Sequence, residues 1–250
     1  MRLKINLEAE NVFNLNSDYR SYLISFIKKV FQRANKYEEF FNKKAYKPYV
    51  YSAYLGKVFR IDKKELFAGK HLSIIFSSGD PYVFSSFYNG LLSLYREYRS
   101  SKISEFKILG QKAKINNFVL LPLRRIKGNR AVFKTMSICI ITNKKVSKKN
   151  FKEFFLIPTD NLELFNECLN ERLREKLSFF KNVDLSFNVN FIPREDIREV
   201  SVKHYEGYLR GFKGTFEMEG PSEVLQFVYD YGFGVRTGQG FGLLEIVKEL

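Results

Sequence analysis

The chain has 250 residues, with 42 lysines and arginines against 27 aspartates and glutamates and a formal net charge of +15. A surplus of that size calls for a polyanionic partner, either a nucleic acid or an anionic membrane surface. No long uncharged apolar run and no signal-type apolar segment is present, which sets the membrane aside. Two cysteines, Cys139 and Cys168, sit in apolar patterns and read as buried free thiols of a cytoplasmic protein. The 26 phenylalanines and 15 tyrosines are mostly core, with a few expected on a binding surface where single-stranded RNA bases stack on rings.

Residues 2–9 alternate, with Leu3, Ile5 and Leu7 on one side, and predict a half-buried strand. Ser17 or Asp18 is placed to cap a helix whose apolar positions are Tyr19, Tyr22, Leu23, Phe26, Ile27, Val30 and Phe31. The stretch 35–47 is polar and basic and reads as a loop. Strands are expected at 49–59 and 71–77. Pro81 opens a second helix that turns Phe84, Phe87, Tyr88, Leu91, Leu94, Tyr95 and Tyr98 inward. An extended stretch over 105–121 closes a β-α-β-β-α-β order, the split βαβ plan of ferredoxin-like folds.

The second half repeats that plan. A strand is expected at 131–142 and a helix capped by Asp160, carrying Leu162, Phe165, Leu169, Leu173 and Leu177. Extended runs follow at 185–192, 197–204 and 211–218, then a short helix from Pro221 and a last strand at 243–247. Between the halves, Pro122 to Arg130 is a link dense in cations. Arg124, Arg125, Lys127 and Arg130 make it a candidate RNA contact, since arginine grips phosphate in a bidentate fork. Lys144, Lys145, Lys148 and Lys149 form a second basic cluster, read as a solvated loop. His71 and His204 are each isolated in a strand, and lone strand histidines are more often structural or surface than catalytic. No Cys/His/Asp spacing marks a metal site, and no cofactor is called for.

Five glycines, Gly232, Gly234, Gly238, Gly240 and Gly242, crowd the stretch after the short helix, together with Arg236 and Gln239. Such a backbone can approach a phosphate closely. Neither nucleotide fingerprint fits it: Thr237 stands where a third Rossmann glycine would fall, and no glycine precedes a Lys-Ser/Thr pair. The order is also inverted, with a helix before the loop and a strand after it.

Gly232-Phe-Gly234 and Gly240-Phe-Gly242, spaced as G-h-G-x-x-x-x-x-G-h-G with a basic residue inside, resemble the signature of the CRISPR repeat-processing endoribonucleases. The run Gly207-Tyr-Leu-Arg-Gly211-Phe-Lys-Gly214 resembles that family's penultimate hairpin. The resemblance spans essentially the whole chain. It implies an α+β protein of two tandem ferredoxin-like (βαββαβ, RRM-like) domains, 1–123 and 124–250, with a cleft between them. It also implies binding of the CRISPR repeat in precursor RNA, and leaves open assembly into an interference complex or a homodimer. The implied reaction is metal-independent attack by the 2′-hydroxyl on the scissile phosphate, giving 2′,3′-cyclic phosphate and 5′-hydroxyl ends.

Family members commonly carry a catalytic histidine just after the first helix. Here residues 35–51 hold none. On the resemblance, Tyr37 and Tyr46 are left to donate or relay protons, and Lys43, Lys44 and Lys47 to stabilise the charged transition state. Gly232, Gly234, Gly238, Gly240, Gly242 and Arg236 would face RNA phosphates, with Gln239 reading a base edge. The alternative is a member that binds repeat RNA without cutting it.

Overall fold

The computed structural model describes residues 1–41, 46–56, 58–61, 65–100, 107–108, 111–180 and 186–250. Lys43 and Lys44 lie outside them. The first half runs β1 (Arg2–Ala9), β2 (Phe13–Asn16), α1 (Tyr19–Arg33), α2 (Tyr37–Phe41), β3 (Val50–Tyr54), β4 (Val58–Ile61), β5 (Glu65–Ala68), β6 (His71–Ser77), α3 (Pro81–Arg99), β7 (Lys107–Ile108) and β8 (Gln111–Leu120). Its main sheet has the order β3-β6-β1-β8-β7, antiparallel throughout. Leaving out the short β7, that is second-third-first-fourth of the split βαβ plan.

The second half runs β9 (Arg130–Thr135), β10 (Ile141–Thr142), α4 (Phe151–Phe154), β11 (Phe155–Leu156), α5 (Leu162–Phe180), β12 (Asn190–Pro193), β13 (Arg198–His204), β14 (Gly207–Lys213), β15 (Thr215–Glu219), α6 (Ser222–Tyr231) and β16 (Leu244–Glu249). Its sheet, β12-β15-β9-β16, has the same second-third-first-fourth order. Two ferredoxin-like units in tandem are what the chain builds.

Each unit has an aromatic core. In the first, Phe31, Tyr49, Phe76 and Phe87 are fully buried, with Phe76 and Phe87 stacked at 3.7 Å between centroids. In the second, Phe165, Phe191, Phe212, Phe216 and Phe233 close on one another. Burial of each such ring is worth about 1.5–3 kcal/mol. Both cysteines are buried free thiols.

Several expectations are corrected. Residues 35–47 are not all loop, because Phe40 buries against Phe31 and folds 37–41 into a helical turn. The run 49–59 is broken, and β4 leaves the main sheet to join a small sheet of order β2-β5-β4. The run 131–142 also breaks after Thr135, where Ser137 and Met136 amides turn to the Leu243 carbonyl. Among the described residues of the run 185–192, 190–192 pair as a strand that continues to Pro193, residue 185 lying outside the described residues, and 211–218 divides at Gly214 into two strands of different sheets. Asn161, not Asp160, caps α5 by accepting from Leu164 N–H at 2.9 Å. Asp160 instead pairs with Arg210 at 2.7 Å. The Lys144–Lys149 loop is exposed, as expected, with Lys144 also paired with Glu175 and Lys145 with Glu171 at 3.6 Å.

The two units meet along a seam. The buried Arg2 guanidinium lies 3.5 Å from the centre of the Tyr229 ring, donates to the Tyr229 carbonyl at 2.7 Å and pairs with Glu245. Ser77 donates to the Asp230 carbonyl at 2.9 Å. Among the described residues no helix is long and apolar enough to cross a membrane.

Within the first unit, α1 and α3 touch backbone to backbone at Gly90, where an added Cβ would meet the Val30 carbonyl. Gly90→Val is therefore expected to lower unfolding free energy by about 1–3 kcal/mol, read from the urea midpoint. An unchanged midpoint would refute this close packing.

Candidate RNA-binding groove

The glycine-rich stretch is a closed loop set by two phenylalanines. Phe233 is buried in the second core and Phe241 in a smaller cluster with Ile138, Ile140, Phe155 and Leu209. Phe233 N–H donates to the Gly242 carbonyl at 2.8 Å, and Val235 N–H to the Ile140 carbonyl at 3.0 Å. Gly242 has φ +76, and a Cβ there would strike the Phe233 carbonyl, so only glycine fits. The amides of Gly232, Gly240 and Gly242 are bonded to Val228, Thr237 and Ile138 carbonyls. These three glycines shape the loop rather than offer N–H groups to phosphate. Gly234 and Gly238 are the two that line open space.

That space is a groove of about 760 Å³ between the units. One wall is Ile24 and Lys28 of α1, Phe41 of α2, and Tyr46 and Lys47 after it. The other is Phe179 of α5, Tyr205 at the β13–β14 turn, and Gly234 with the turn from Arg236 to Gln239. No carboxylate lines it among the described residues. The Lys28 and Lys47 ammonium groups both approach the Phe41 ring, at 5.6 and 5.3 Å from its centre. Lys47 donates to the Phe40 carbonyl at 2.5 Å, and its pKa is lowered by burial and by the Lys28 charge. Tyr46 donates to Glu175 at 3.2 Å. Burial, then the Glu175 charge, raise its pKa, which disqualifies it as a base. Arg236, left-handed at φ +62, is exposed and donates to Gln239 Oε1 at 2.9 Å.

The residues expected from sequence thus divide. Tyr46, Lys47, Gly234, Arg236, Gly238 and Gln239 come together in the groove. Tyr37 stacks behind it on Phe41, at 5.3 Å between centroids. Arg124 and Arg125 line a separate concavity with Pro81, Ser222 and Asp230. Lys127 uses its amide on Glu249, and Arg130 is held by Glu217. Lys28, Phe179 and Tyr205 were not singled out in the sequence. Lys28 sits on the polar side of a periodic helix, where a groove residue looks like any solvated lysine. His204 is no stray strand residue either: its side chain is 1 % exposed and is held by Asp18 and Gln239, each at 3.2 Å. Asp18 therefore caps α1 in position only, since its carboxylate serves His204 and the Tyr205 amide.

Behind the loop lies Lys176 of α5, fully buried. Its ammonium donates to the Tyr231 and Gly232 carbonyls at 2.8 and 2.9 Å and approaches Thr237 Oγ1 at 3.4 Å. All three partners are neutral, and burial lowers its pKa to about 7. Among the described residues no group of three His, Cys, Asp or Glu is placed to hold a metal ion.

The fold and groove define a class first: a tandem ferredoxin-like protein with a basic, aromatic cleft closed by a glycine loop. The sequence model for the C-terminal region of CRISPR associated protein Cas6 matches residues 121–246, and the chain belongs to that family. It is 26% identical over 256 residues to a CRISPR-associated endoribonuclease-like protein Cas6 of Pyrococcus furiosus, covering 100% of both chains. It is 25% identical over 254 residues to CRISPR-associated endoribonuclease Cas6 1 of Methanocaldococcus jannaschii, covering 100% of this chain and 94% of that one. A solved structure described as an RAMP protein binding different RNA substrates superposes with a TM-score of 0.75 at 21% identity, covering 99% of this chain and 100% of that one.

Lys176 gives the site a pH signature. The unfolded chain keeps this proton up to the ordinary lysine range near 10.5, whereas the folded chain releases it near 7. The unfolded state binds more protons between those values, so stability rises with pH across them. In Lys176→Met that rise between about pH 7 and about pH 9 is expected to shrink, measured by urea unfolding. Equal pH slopes in the two proteins would contradict the assignment.

Proposed function

We propose that this protein is an endoribonuclease that binds the CRISPR repeat in precursor RNA, with its units at 1–123 and 124–250 gripping the strand between them. The reading rests on the groove itself: Lys28, Lys47 and Arg236 surround a space walled by Phe41, Tyr46, Phe179 and Tyr205. Ring faces on the wall suit stacking by a splayed base, and the cations suit its phosphates. The endoribonuclease name of the Methanocaldococcus jannaschii relative supports it, and the Pyrococcus furiosus relative is named endoribonuclease-like.

In this reading cleavage is metal-independent and the RNA's own 2′-hydroxyl is the nucleophile. Lys47, its pKa lowered by burial and by Lys28, is assigned the 2′-hydroxyl proton. Arg236 and Lys28 stabilise the charge that builds on the phosphate. The 2′-oxygen forms its bond to phosphorus as the bond to the 5′-oxygen breaks, and that oxygen leaves with a proton from Lys28 or water. The products are a 2′,3′-cyclic phosphate and a 5′-hydroxyl. A second reading, repeat binding without cleavage, is favoured by one observation: the groove's lining holds no histidine among the described residues.

Incubation of end-labelled repeat RNA with the protein in excess EDTA separates the two. Cleavage is expected to persist in EDTA, to vanish when the nucleotide at the cut is 2′-deoxy, and to slow about 10²- to 10³-fold in Lys47→Met. Tight binding with no product assigns the protein to the binding-only reading.

Arg236→Ala is expected to weaken repeat binding and to reduce the slope of log affinity against log salt by about 0.7–0.9, the value for one phosphate contact. An unchanged slope would remove Arg236 from the phosphate-binding set.

A further inference from the structure

Beneath the groove runs a hydrogen-bonded chain that reaches the open space through Gln239 and Arg236. Asp18 Oδ1 lies 3.2 Å from His204 Nδ1, Gln239 Oε1 lies 3.2 Å from His204 Nε2, and Arg236 donates to the same Gln239 oxygen at 2.9 Å. A carboxylate only accepts, so Nδ1 carries a hydrogen. The Gln239 atom facing the ring is the one Arg236 donates to, so it is the carbonyl oxygen, and Nε2 must carry a hydrogen as well. The placed atoms suit a doubly protonated ring, the form that burial disfavours.

A neutral ring held by Asp18 keeps Nδ1–H and presents a lone pair at Nε2. Gln239 then satisfies that lone pair only by turning its amide half a revolution and donating through its nitrogen. The –NH2 group would then face the Arg236 guanidinium, donor against donor, and Arg236 would lose its acceptor. We propose that His204 is a positioning residue whose second ring proton ties Arg236 to the groove wall through the Gln239 carbonyl, and whose loss of that proton releases it. The RNA arm of this inference rests on the groove being the repeat-binding site; the linkage within the free protein does not.

The charged and titratable groups around the ring come from every element packed on it. They are Asp18 at the head of α1, Tyr205 beside it in the turn, Arg236 in the loop, and Arg20, which lies over the Phe241 ring that meets His204 edge-on at 5.2 Å. Burial pushes the imidazole pKa below its usual value, Gln239 and Asp18 pull it up, and the Arg236 charge opposes protonation. A phosphate bound to Arg236 would offset that last repulsion, so RNA binding takes up a proton and strengthens on the acid side.

The chain has two histidines, so ring nitrogen-15 spectra of His71 and His204 can be read directly in the whole protein. His204 Nδ1 is expected to stay protonated while Nε2 gains its hydrogen on acidification. The Gln239 amide and Arg236 guanidinium signals are expected to move at the same midpoint. A ring that titrates while those signals stand still, or a neutral ring protonated at Nε2 alone, overturns the proposal. With repeat RNA, the loss of affinity on Arg236→Ala is expected to be about three- to tenfold larger at about pH 5 than at about pH 8. In a Gln239→Leu background the two losses are expected to be equal. Equal losses in the wild-type background overturn the link to Arg236. Coupled spectra with no repeat binding at either pH leave the linkage standing and sink the groove's assignment to RNA.

Discussion

The site depends on one closure, the Phe233 amide meeting the Gly242 carbonyl. It brings the two ends of a ten-residue excursion together, with Phe233 sunk in the main core of the second unit and Phe241 in its satellite cluster. With both ends fixed, the intervening turn has one place to go, and Arg236 and Gln239 project into the groove. Lys176 reinforces this from below by drawing the end of α6 and the start of the loop onto α5. A buried ammonium against two carbonyls at a helix C-terminus is electrostatically apt, because the helix dipole is negative there. It is also costly to bury, as its depressed pKa records.

Placement of the groove follows from how the two units join. Arg2, Ser77 and the chain terminus grip α6 and its C-terminal end on one side of the seam. On the other side, Tyr46 meets Glu175, and Asp18 meets His204 and the Tyr205 amide. Between these two sets of contacts the walls stand apart, and the lining they leave carries cations and rings but no acid among the described residues. Glu175 and Asp18, the nearby acids, are turned to tyrosine and histidine partners outside the open space. A polyanion entering the groove meets positive charge without an opposing carboxylate, which suits a strand of phosphates.

The sequence carried the architecture well, because periodicity is local. The α1 and α3 faces, the main strands and the tandem βαββαβ order could all be read from spacing. Failures came where tertiary contacts override pattern. The 49–59 run looks continuous, yet β4 leaves for another sheet; Phe40 draws a polar stretch into a helical turn; and Gly214 splits a run that alternates without a break. At the site, the glycine loop was legible from its composition, although most of its glycines serve the chain's own geometry. Lys28 and His204 were not, since their roles come from partners far along the chain: Lys47, and the pair Asp18 and Gln239. The Arg124–Arg130 cluster was legible as a charge run, and the structure sets it apart from the groove: Arg124 and Arg125 line a separate concavity and Arg130 is held by Glu217.

The two walls of the groove also differ in when they are made. Residues 24–47 leave the ribosome early, and residues 232–242 only after the whole second sheet except its final strand. Domains form largely in order of synthesis, so a nascent chain displays Lys28 and Lys47 on an unfinished face for most of its elongation. Arg236 arrives at the end, together with the phenylalanines that fix it. A prematurely terminated product therefore exposes a basic half-surface without the wall that stands opposite it in the finished protein.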